Sequence, residues 1–448
     1  MKPRTLHRLL MLGCLLAWLS LCAMEMQARA WWDTPDTAGD SYQYDNLAFN
    51  LLKYHRFGFE TTDPQWQAPY LNHGLTLERL GASPAAFYPS ARRPPLYPVV
   101  LSWVYKLFGR GFLVARWTSQ VLVALAILCI AFEVVRHSGW LGGLAVWIYA
   151  WLDGRLLVYS SSILSESLAL LGVTLFAIAL SRYQSSRSLR AACAAGVILG
   201  LLYLTRTFYV SFFLCPVLIA LLNPERQTIR HMACLCAMAA LVALPWVARN
   251  AIVIGPAHAM GTESGMSLCV SYSEGAVVER GNWSSSTLPA MWDQHLKEHP
   301  EDAGIPPSTR MEKVYDNAGR KAAWAWLVEN PQRVPSLVVG RVWNHWAHYL
   351  RPDAWHLPVI LALAVLSMAN PGWRHQAGLF WLLLLSSTLF VALTYEDRGR
   401  FHVPSTLLII GMAGAGTSWM GRALASRFHP LLHPGKDMSE NTPQNRAP

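Results

Sequence analysis

Long apolar runs separated by short polar turns dominate this chain. Runs long enough to cross a hydrocarbon core of about 30 Å as a helix lie near residues 9–29, 112–135, 140–158, 163–181, 191–207, 208–223, 231–249, 354–370, 376–394 and 401–420. The pattern predicts an all-α polytopic membrane protein with about ten transmembrane helices. An even number of spans puts both termini on the same side of the membrane.

Basic residues indicate which side that is. With the N-terminus inside, the inner turns and the tail carry Arg136, Arg182, Arg187, Arg190, Arg226, Arg230, Arg374, Arg422, Arg427 and Lys436. Cytoplasmic turns of membrane proteins are enriched in Lys and Arg. We therefore expect a multi-pass protein of a bacterial inner membrane, with cytoplasmic termini and with residues 31–95 and 250–350 facing the periplasm.

Each outer region contains a segment that suits the membrane surface. Residues 94–109, PPLYPVVLSWVYKLFG, are apolar and aromatic but too short and proline-led for a span, which favours an interfacial or re-entrant helix. Residues 336–350 mix tryptophans with Arg341 and His345, which is typical of a helix lying in the membrane plane.

The chain therefore divides into six parts. These are a first transmembrane helix (1–30), a first periplasmic loop (31–111), a helix bundle (112–249), a second periplasmic loop (250–353), C-terminal transmembrane helices (354–420) and a disordered cytoplasmic tail (421–448).

The first of these parts, residues 1–30, has two interpretations. Lys2, Arg4 and Arg8 precede its apolar run, and 28–30 (Ala-Arg-Ala) resembles a signal-peptidase site. Retention as a helix is favoured because it makes the count of spans consistent.

Composition agrees with a membrane protein. Of 448 residues, 53% are hydrophobic and 14% charged, with a mean hydropathy of +0.24, too little polar surface to cover a soluble core of that size. The cytoplasmic turns account for much of the net charge of +10, and no basic run with interleaved aromatics predicts nucleic-acid binding. Seven of the eight cysteines fall in apolar runs, so no disulfide framework or thiolate metal site is expected.

The first outer loop opens with an acidic, tyrosine-rich stretch, GDSYQYDNLAFNLL, residues 39–52. On a helix, Asp40, Tyr44 and Ala48 share one face, because they are spaced four residues apart. Spacing alone leaves open that Asp40 merely caps the helix N-terminus.

This stretch resembles the first outer loop of the GT-C superfamily of membrane glycosyltransferases, in particular the bacterial family 39-like relatives of dolichyl-phosphate-mannose protein mannosyltransferases. Their Asp-Ser-x-x-Tyr-x-x-x-Ala pattern is matched by Asp40, Ser41, Tyr44 and Ala48. Similar landmarks follow in order: Arg93 to Pro98 with Leu107, Phe108 and Gly109; Ser165 and Glu166; Leu204 to Arg206; Pro245, Trp246, Arg249 and Asn250; and Arg400 to Pro404. Phe401, where the family usually has Tyr, and Thr207, where Pro is common, depart from the pattern.

The resemblance implies that a sugar is transferred, with inversion, from a polyprenyl-phosphate carrier to a cell-envelope lipid, glycan or protein on the periplasmic face. Such a transfer needs a general base for the acceptor hydroxyl and positive charge for the leaving phosphate. We expect Asp40 to be the base and Tyr44 to help hold it. The remaining substrate-binding candidates are Arg93, Tyr97, Glu166, Arg206, Arg249, Arg398 and Arg400.

Other interpretations remain open for these residues. The outer arginines Arg206, Arg249, Arg398 and Arg400 are predicted to border one cavity with Asp40, but each alone is also consistent with snorkelling to lipid head groups. Glu166 equally suits a first-turn acid that complements the helix dipole. For the chain as a whole, a transporter or lipid-sugar flippase is the alternative, although such proteins place ionisable groups near the bilayer midplane.

No cofactor is predicted, and a divalent metal is left open. The fifteen histidines are scattered, and His345 with His348 suits an interfacial aromatic surface as well as a ligand pair.

Asp153 and Arg155 lie inside the third apolar run. Ionisable residues there have a functional or paired role by default, unless they sit at the outer interface.

Overall fold

Helices form almost all of the structure, a computed structural model that describes residues 3–37, 39–351 and 353–432. The α-helices are α1 (Pro3–Ala28), α2 (Ser41–Tyr54), α3 (Pro64–Leu71), α4 (Leu96–Phe108), α5 (Phe112–Ser138), α6 (Trp140–Leu152), α7 (Gly154–Ser160), α8 (Glu166–Ser186), α9 (Leu189–Thr205), α10 (Leu214–Leu222), α11 (Arg226–Val253), α12 (Ser264–Ser271), α13 (Glu274–Val278), α14 (Thr287–Glu298), α15 (Thr309–Glu329), α16 (Val334–Trp346), α17 (His356–Leu366), α18 (Arg374–Leu393) and α19 (Thr406–Leu432).

Short 3₁₀ turns link several of these helices, including Thr207–Phe213 before α10, Ala347–Leu350 after α16 and Arg400–Ser405 before α19. Within the described part of the chain, β structure consists of one antiparallel pair, β1 (Gly58–Phe59) with β2 (Tyr88–Pro89), and an isolated bridge. The predicted all-α class is confirmed.

The described helices include five that are long and apolar enough to cross a membrane: Leu10–Ala28, Phe112–Ser138, Glu166–Ser186, Arg226–Val253 and Arg374–Leu393. The α6–α7 pair makes a sixth if its 72° bend is one broken span. Three shorter apolar helices follow the predicted runs less fully: Leu189–Thr205, Thr207–Leu222 and His356–Ala369. A fourth, Leu96–Phe108, covers the segment predicted to be an interfacial or re-entrant helix. These helices make the chain a multi-pass membrane protein, and the count of about ten spans stays a prediction.

Helix α19 lies at the centre of the bundle and packs on α5, α6 and α17. Its residues from Leu407 to Ile410 are fully buried. Gly142 of α6 and Gly414 of α19 meet where the helices cross, since a Cβ on Gly414 would come 2.6 Å from the Gly142 carbonyl oxygen. Small residues at such crossings let membrane helices approach closely, and van der Waals contact then holds them together.

The third apolar run is broken at Asp153, where the sequence predicts one continuous helix. Asp153 is fully buried, and its carboxylate accepts the backbone N–H of Arg155 at 3.2 Å as the N-cap of α7. Tyr349 donates to the same carboxylate at 3.1 Å, and His348 lies 3.2 Å away. Asp153 is therefore a paired group that anchors a bend, one of the roles the sequence left open for it.

The first outer loop packs α2 against α4 around a buried carboxylate, Asp45. This carboxylate accepts hydrogen bonds from Tyr70 at 2.9 Å, Trp66 at 2.9 Å and Tyr105 at 2.7 Å, and it pairs with Arg110 at 2.6 Å. A buried charge is tolerated when its lone pairs are satisfied in this way. The network fixes α2 and with it the residues at the start of that helix.

In the second outer loop, helix α16 covers most of the predicted interfacial segment, but its basic side chains Arg341 and His345 do not face outward. Arg341 is fully buried, donates to the carbonyls of Ala392 and Ser271 at 3.1 and 2.5 Å, and stacks 4.4 Å from the Tyr272 ring. His345 is buried as well. The helix thus docks the second loop onto the end of α18.

Two of the sequence-based predictions extend beyond the residues that the structure describes. Helix α19 continues to Leu432, so the predicted boundary of the tail at residue 421 falls inside a helix, and residues 433–448 lie outside the described part. The same holds for the side chains of Lys2, Arg4, Arg8, Arg427 and Lys436.

Candidate functional site

Asp40 lies immediately before α2 and forms ion pairs with two arginines. Its Oδ1 accepts from Arg93 Nη2 at 2.5 Å, and its Oδ2 accepts from Arg400 Nη2 at 3.1 Å. The side chain makes no capping hydrogen bond to α2, because only its backbone carbonyl accepts the N–H groups of Gln43 and Tyr44. The capping interpretation therefore does not describe what this carboxylate does.

The charge state of Asp40 follows from its surroundings. Burial alone would raise the pKa of this carboxyl, but the positive charges of Arg93, Arg400 and Arg206 outweigh it and hold the pKa well below its usual range. The carboxylate is ionised at neutral pH and 21% exposed, so a small molecule can reach it. In this state it is only a weak base.

Arg93 joins the two outer loops at this point. Besides Asp40, it donates to Gln43 Oε1 at 2.8 Å and to Glu263 Oε2 at 2.6 Å. Glu263 precedes α12 in the second outer loop and also lies 3.5 Å from Arg92. Pro94 and Pro95 follow Arg93 directly and stiffen the backbone that leads into α4.

A second carboxylate, Glu166, lies in the first turn of α8 and pairs with two arginines. Its Oε1 forms an ion pair with Arg206 Nη1 at 2.7 Å and accepts a hydrogen bond from Arg400 Nε. Its Oε2 is buried and accepts no hydrogen bond from any residue that the structure describes. Glu166 therefore occupies the helix first turn and belongs to the ion-pair cluster at once, and Arg400 bridges it to Asp40.

The two predicted tyrosines, Tyr44 and Tyr97, pack against each other next to this ion-pair cluster. The Tyr44 hydroxyl lies 3.0 Å from Ser165 Oγ, and the Tyr97 hydroxyl 3.2 Å from Ser119 Oγ. Their rings meet edge to face at 5.2 Å, and the Arg93 guanidinium lies 5.9 Å from the Tyr44 ring. Tyr44 therefore contacts Arg93 with its ring and Ser165 with its hydroxyl. We had expected it to hold Asp40.

Only two of the four outer arginines, Arg206 and Arg400, come together with Asp40. Arg249 donates to the carbonyls of Ser90 and Phe57 at 2.6 and 2.9 Å, which ties the end of α11 to the first outer loop. Arg398 lines a separate cavity, and its backbone N–H donates to Asn282 at 3.0 Å. The prediction that Arg398 borders one cavity with Asp40 is therefore wrong, and its position on the outer side stays a prediction.

Two acidic residues of this cluster were missed in the sequence. Glu263 carries no motif and stands in a loop without periodicity, so no signal pointed to it. Asp397 lies 3.8 Å from Arg400 Nη1, and burial raises the pKa of its carboxyl. Its position three residues before Arg400, on the same short loop, was the available signal.

The cluster as a whole balances four arginines against four carboxylates: Arg92, Arg93, Arg206 and Arg400 with Asp40, Glu166, Glu263 and Asp397. Guanidinium groups bind phosphate with paired hydrogen bonds. An incoming phosphate would compete with the carboxylates for these donors and leave at least one carboxylate without its partner. The site can therefore exchange an internal ion pair for an anionic ligand.

Metal ligation was left open by the sequence. Among the described residues, no group of three or more His, Cys, Asp or Glu side chains is arranged to hold a metal ion. His345 lies with its Nδ1 2.6 Å from Glu396, and His348 faces Asp153, so the two histidines have different partners.

Part of the chain matches a known family model. Residues 92–252, less than half of the chain, match the family model described as dolichyl-phosphate-mannose-protein mannosyltransferase. The match confirms the resemblance to membrane glycosyltransferases of the GT-C superfamily that the sequence motifs indicate. No curated protein matches the chain.

Two solved structures are similar over most of their length. ArnT from Cupriavidus metallidurans bound to undecaprenyl phosphate is 11% identical, with a TM-score of 0.42, and the similarity covers 95% of this chain and 81% of ArnT. The apo state of the same protein gives 12% identity, the same coverage and a TM-score of 0.39.

Proposed function

We propose that the protein is an inverting membrane glycosyltransferase of the GT-C type that moves a sugar from a polyprenyl-phosphate carrier to a cell-envelope lipid, glycan or protein. The reaction takes place on the periplasmic face, where the arginine distribution puts the two outer loops. Asp40 is the general base, and Arg93, Arg206 and Arg400 receive the leaving phosphate.

One observation carries this proposal: Asp40 lies between Arg93 and Arg400, at the junction of both outer loops with the ends of the bundle helices. An inverting transfer from a sugar phosphate requires a base on the acceptor side of the anomeric carbon and a cationic group near the phosphate, and this cluster offers both. The base takes the proton of the acceptor hydroxyl as the oxygen attacks the anomeric carbon. The bond from that carbon to the phosphate oxygen breaks on the opposite face, and the arginines stabilise the departing negative charge.

The depressed pKa of Asp40 has a role in this scheme. With both arginines paired to it, the carboxylate is too weak a base to act well near neutral pH. When the donor phosphate engages Arg93 and Arg400, their positive charge is shared with the phosphate and the basicity of Asp40 rises. Donor binding therefore raises the basicity of the Asp40 carboxylate, which is a weak base while no donor is bound.

The test is the substitution Asp40→Asn, with Asp33→Asn as a matched control. Asp33 is an exposed carboxylate of the same outer loop. Asn keeps the size of the side chain but removes its basicity, so we expect transfer to fall by about 10²- to 10⁴-fold. The assay measures labelled sugar passing from a polyprenyl-phosphate donor to envelope acceptors in membranes with equal amounts of each protein. Asp40→Asn at the rate of the control would refute the assignment.

The same assay addresses the alternative of a transporter or flippase. Such a protein would move the labelled carrier across the membrane without attaching the sugar to any acceptor. The charged cluster lies at helix ends and in loops, at the starts of α2 and α8 and just before α19. Transport proteins place their ionisable sites near the bilayer midplane, so this distribution favours chemistry at one surface.

A further inference from the structure

A cavity of about 740 Å³ lies beside the ion-pair cluster. Helix α7, the 3₁₀ turn Ala347–Leu350, the start of α17 and the loop before Arg400 form its walls. Arg398 lines this cavity, whereas Arg400, two residues further on, pairs with Asp40. Arg155 closes the wall between them by donating to the Gly399 carbonyl at 3.4 Å.

Basic and polar side chains form one side of the cavity. They are Arg155, Arg351, Arg398, His348, Asn282 and Asn344. Among the described residues that line the cavity, none is acidic. Arg155 and Arg351 have carboxylate partners outside the lining, whereas Arg398 has none among the described residues, so the lining favours an anion.

Apolar side chains also line the cavity, and exposed tryptophans stand next to it in the chain. Leu152, Val158 and Leu357 line it, and Val158 is exposed. Trp151 and Trp355 stand next to the lining in sequence and are 50% and 74% exposed. Exposed tryptophans of membrane proteins collect at the head-group level, so the ligand has an apolar part that continues into the bilayer.

The arginines of this cavity are available to a ligand to different degrees. Arg398 forms no ion pair with any residue that the structure describes. Arg351 pairs with Asp353, but both side chains are more than half exposed, and such pairs contribute little. Arg155 lies 3.6 Å from Asp153, which also binds Tyr349. A phosphate can therefore recruit Arg398 and Arg351 without breaking a buried pair.

We propose that this cavity binds the phosphate of a second membrane lipid, held by Arg398 and Arg351, while the cluster at Asp40 holds the donor phosphate. The inference rests on the proposed function for the role of Asp40, but not for the anion site itself. Two sources share this chemistry: an anionic lipid of the envelope, which would be an acceptor, and a second polyprenyl phosphate.

The experiment measures lipid binding and needs no turnover. The full-length protein is held in phosphatidylcholine nanodiscs, and native mass spectrometry follows titration with phosphatidylglycerol or with undecaprenyl phosphate, with undecaprenol as the probe that lacks phosphate. The variant is Arg351→Gln with Arg398→Gln, and Arg398→Glu is a second variant that reverses one charge. The matched control is Arg56→Gln with Arg79→Gln, since both residues are exposed arginines of the first outer loop.

We expect the cavity variants to bind at least one phosphate lipid about tenfold more weakly than the control, which corresponds to about 1.4 kcal/mol. Undecaprenol should bind equally to all proteins. A loss confined to phosphatidylglycerol identifies the envelope lipid, and a loss confined to undecaprenyl phosphate identifies the carrier. Wild-type binding of both phosphate lipids by both variants would overturn the proposal. Because binding is read directly, this outcome is independent of whether Asp40→Asn abolishes transfer.

Discussion

Arg400 is the residue on which the cluster depends most, because it contacts both Asp40 and Glu166. Replacing it with Gln leaves Asp40 with Arg93 and Glu166 with Arg206, so each carboxylate keeps one partner and the fold is expected to persist. In the proposed reaction, however, the leaving phosphate would lose one of its three cationic donors. Removing one such donor typically costs about 10²- to 10³-fold in rate, or about 2.7 to 4 kcal/mol of transition-state stabilisation.

Arg400→Lys separates charge from geometry. The ammonium keeps the positive charge, but it is a point donor and cannot span two carboxylates as the planar guanidinium does. We therefore expect this variant to fall between the wild type and Arg400→Gln, with a loss of about tenfold. Arg79→Gln, an exposed arginine of the first outer loop, is the control for loss of one outer positive charge.

The pH profile of Arg400→Gln gives an independent readout. Arg400 is one of the charges that depress the pKa of Asp40, so its removal raises that pKa toward the ordinary value near 3.9. A general base must be ionised, and the acid limb of the rate profile should therefore move to higher pH than in the wild type. The assay is labelled-sugar transfer in membranes over the pH range in which the protein stays folded. A rate equal to that of Arg79→Gln, with an unmoved acid limb, would refute the reasoning.

Three further predictions concern the fold. Asp45→Asn leaves Arg110 buried without its counter-charge, and we expect a loss of about 3 to 5 kcal/mol, read as a lower melting temperature. The pKa of Asp45 is depressed in the folded state, so the carboxylate contributes its full stabilisation above the unfolded pKa near 3.9. This contribution to the free energy of unfolding disappears as pH falls through the folded pKa. The wild type should therefore lose stability in that pH window, and the variant should not. Gly142→Val forces a side chain against the Gly414 carbonyl and should destabilise the protein by about 1 to 3 kcal/mol, whereas Gly13→Val, which meets no atom within 4 Å, should not. Glu301→Cys should react with an impermeant thiol reagent from the periplasmic side, and labelling only after the membrane is broken would contradict the predicted topology.

The sequence predicts the composition of the site better than its geometry. Depth in the membrane can be read from a hydropathy pattern, and so Arg206, Arg249, Arg398 and Arg400 were all assigned to outer helix ends. The direction of each side chain around its helix or loop depends on tertiary packing, and two of the four turn away from Asp40. No local pattern in the sequence distinguishes the two pairs.

The same limit explains the differences in the fold. The run at 140–158 reads as continuous because apolar residues flank the short polar segment from Asp153 to Arg155, although an Asp-Gly pair is a known turn signal. The helical face shared by Asp40 and Tyr44 was identified from spacing, yet the Tyr44 hydroxyl meets Ser165, a residue 121 positions away. Contacts across such distances depend on how α2 is set against α8, which the first loop alone does not specify.

The ion pair between Asp40 and Arg400 joins residues 360 positions apart in the chain. A ribosome that adds about 5 to 20 residues per second delivers Arg400 roughly 18 to 72 s after Asp40 has been made. During that interval, the first outer loop can fold around Asp45, since that network is local, but the carboxylates at Asp40 and Glu166 lack their shared cation. A truncated chain that ends before Arg400 therefore lacks the cation that joins Asp40 to Glu166, and the ion-pair cluster is completed only after almost nine-tenths of the chain has been made.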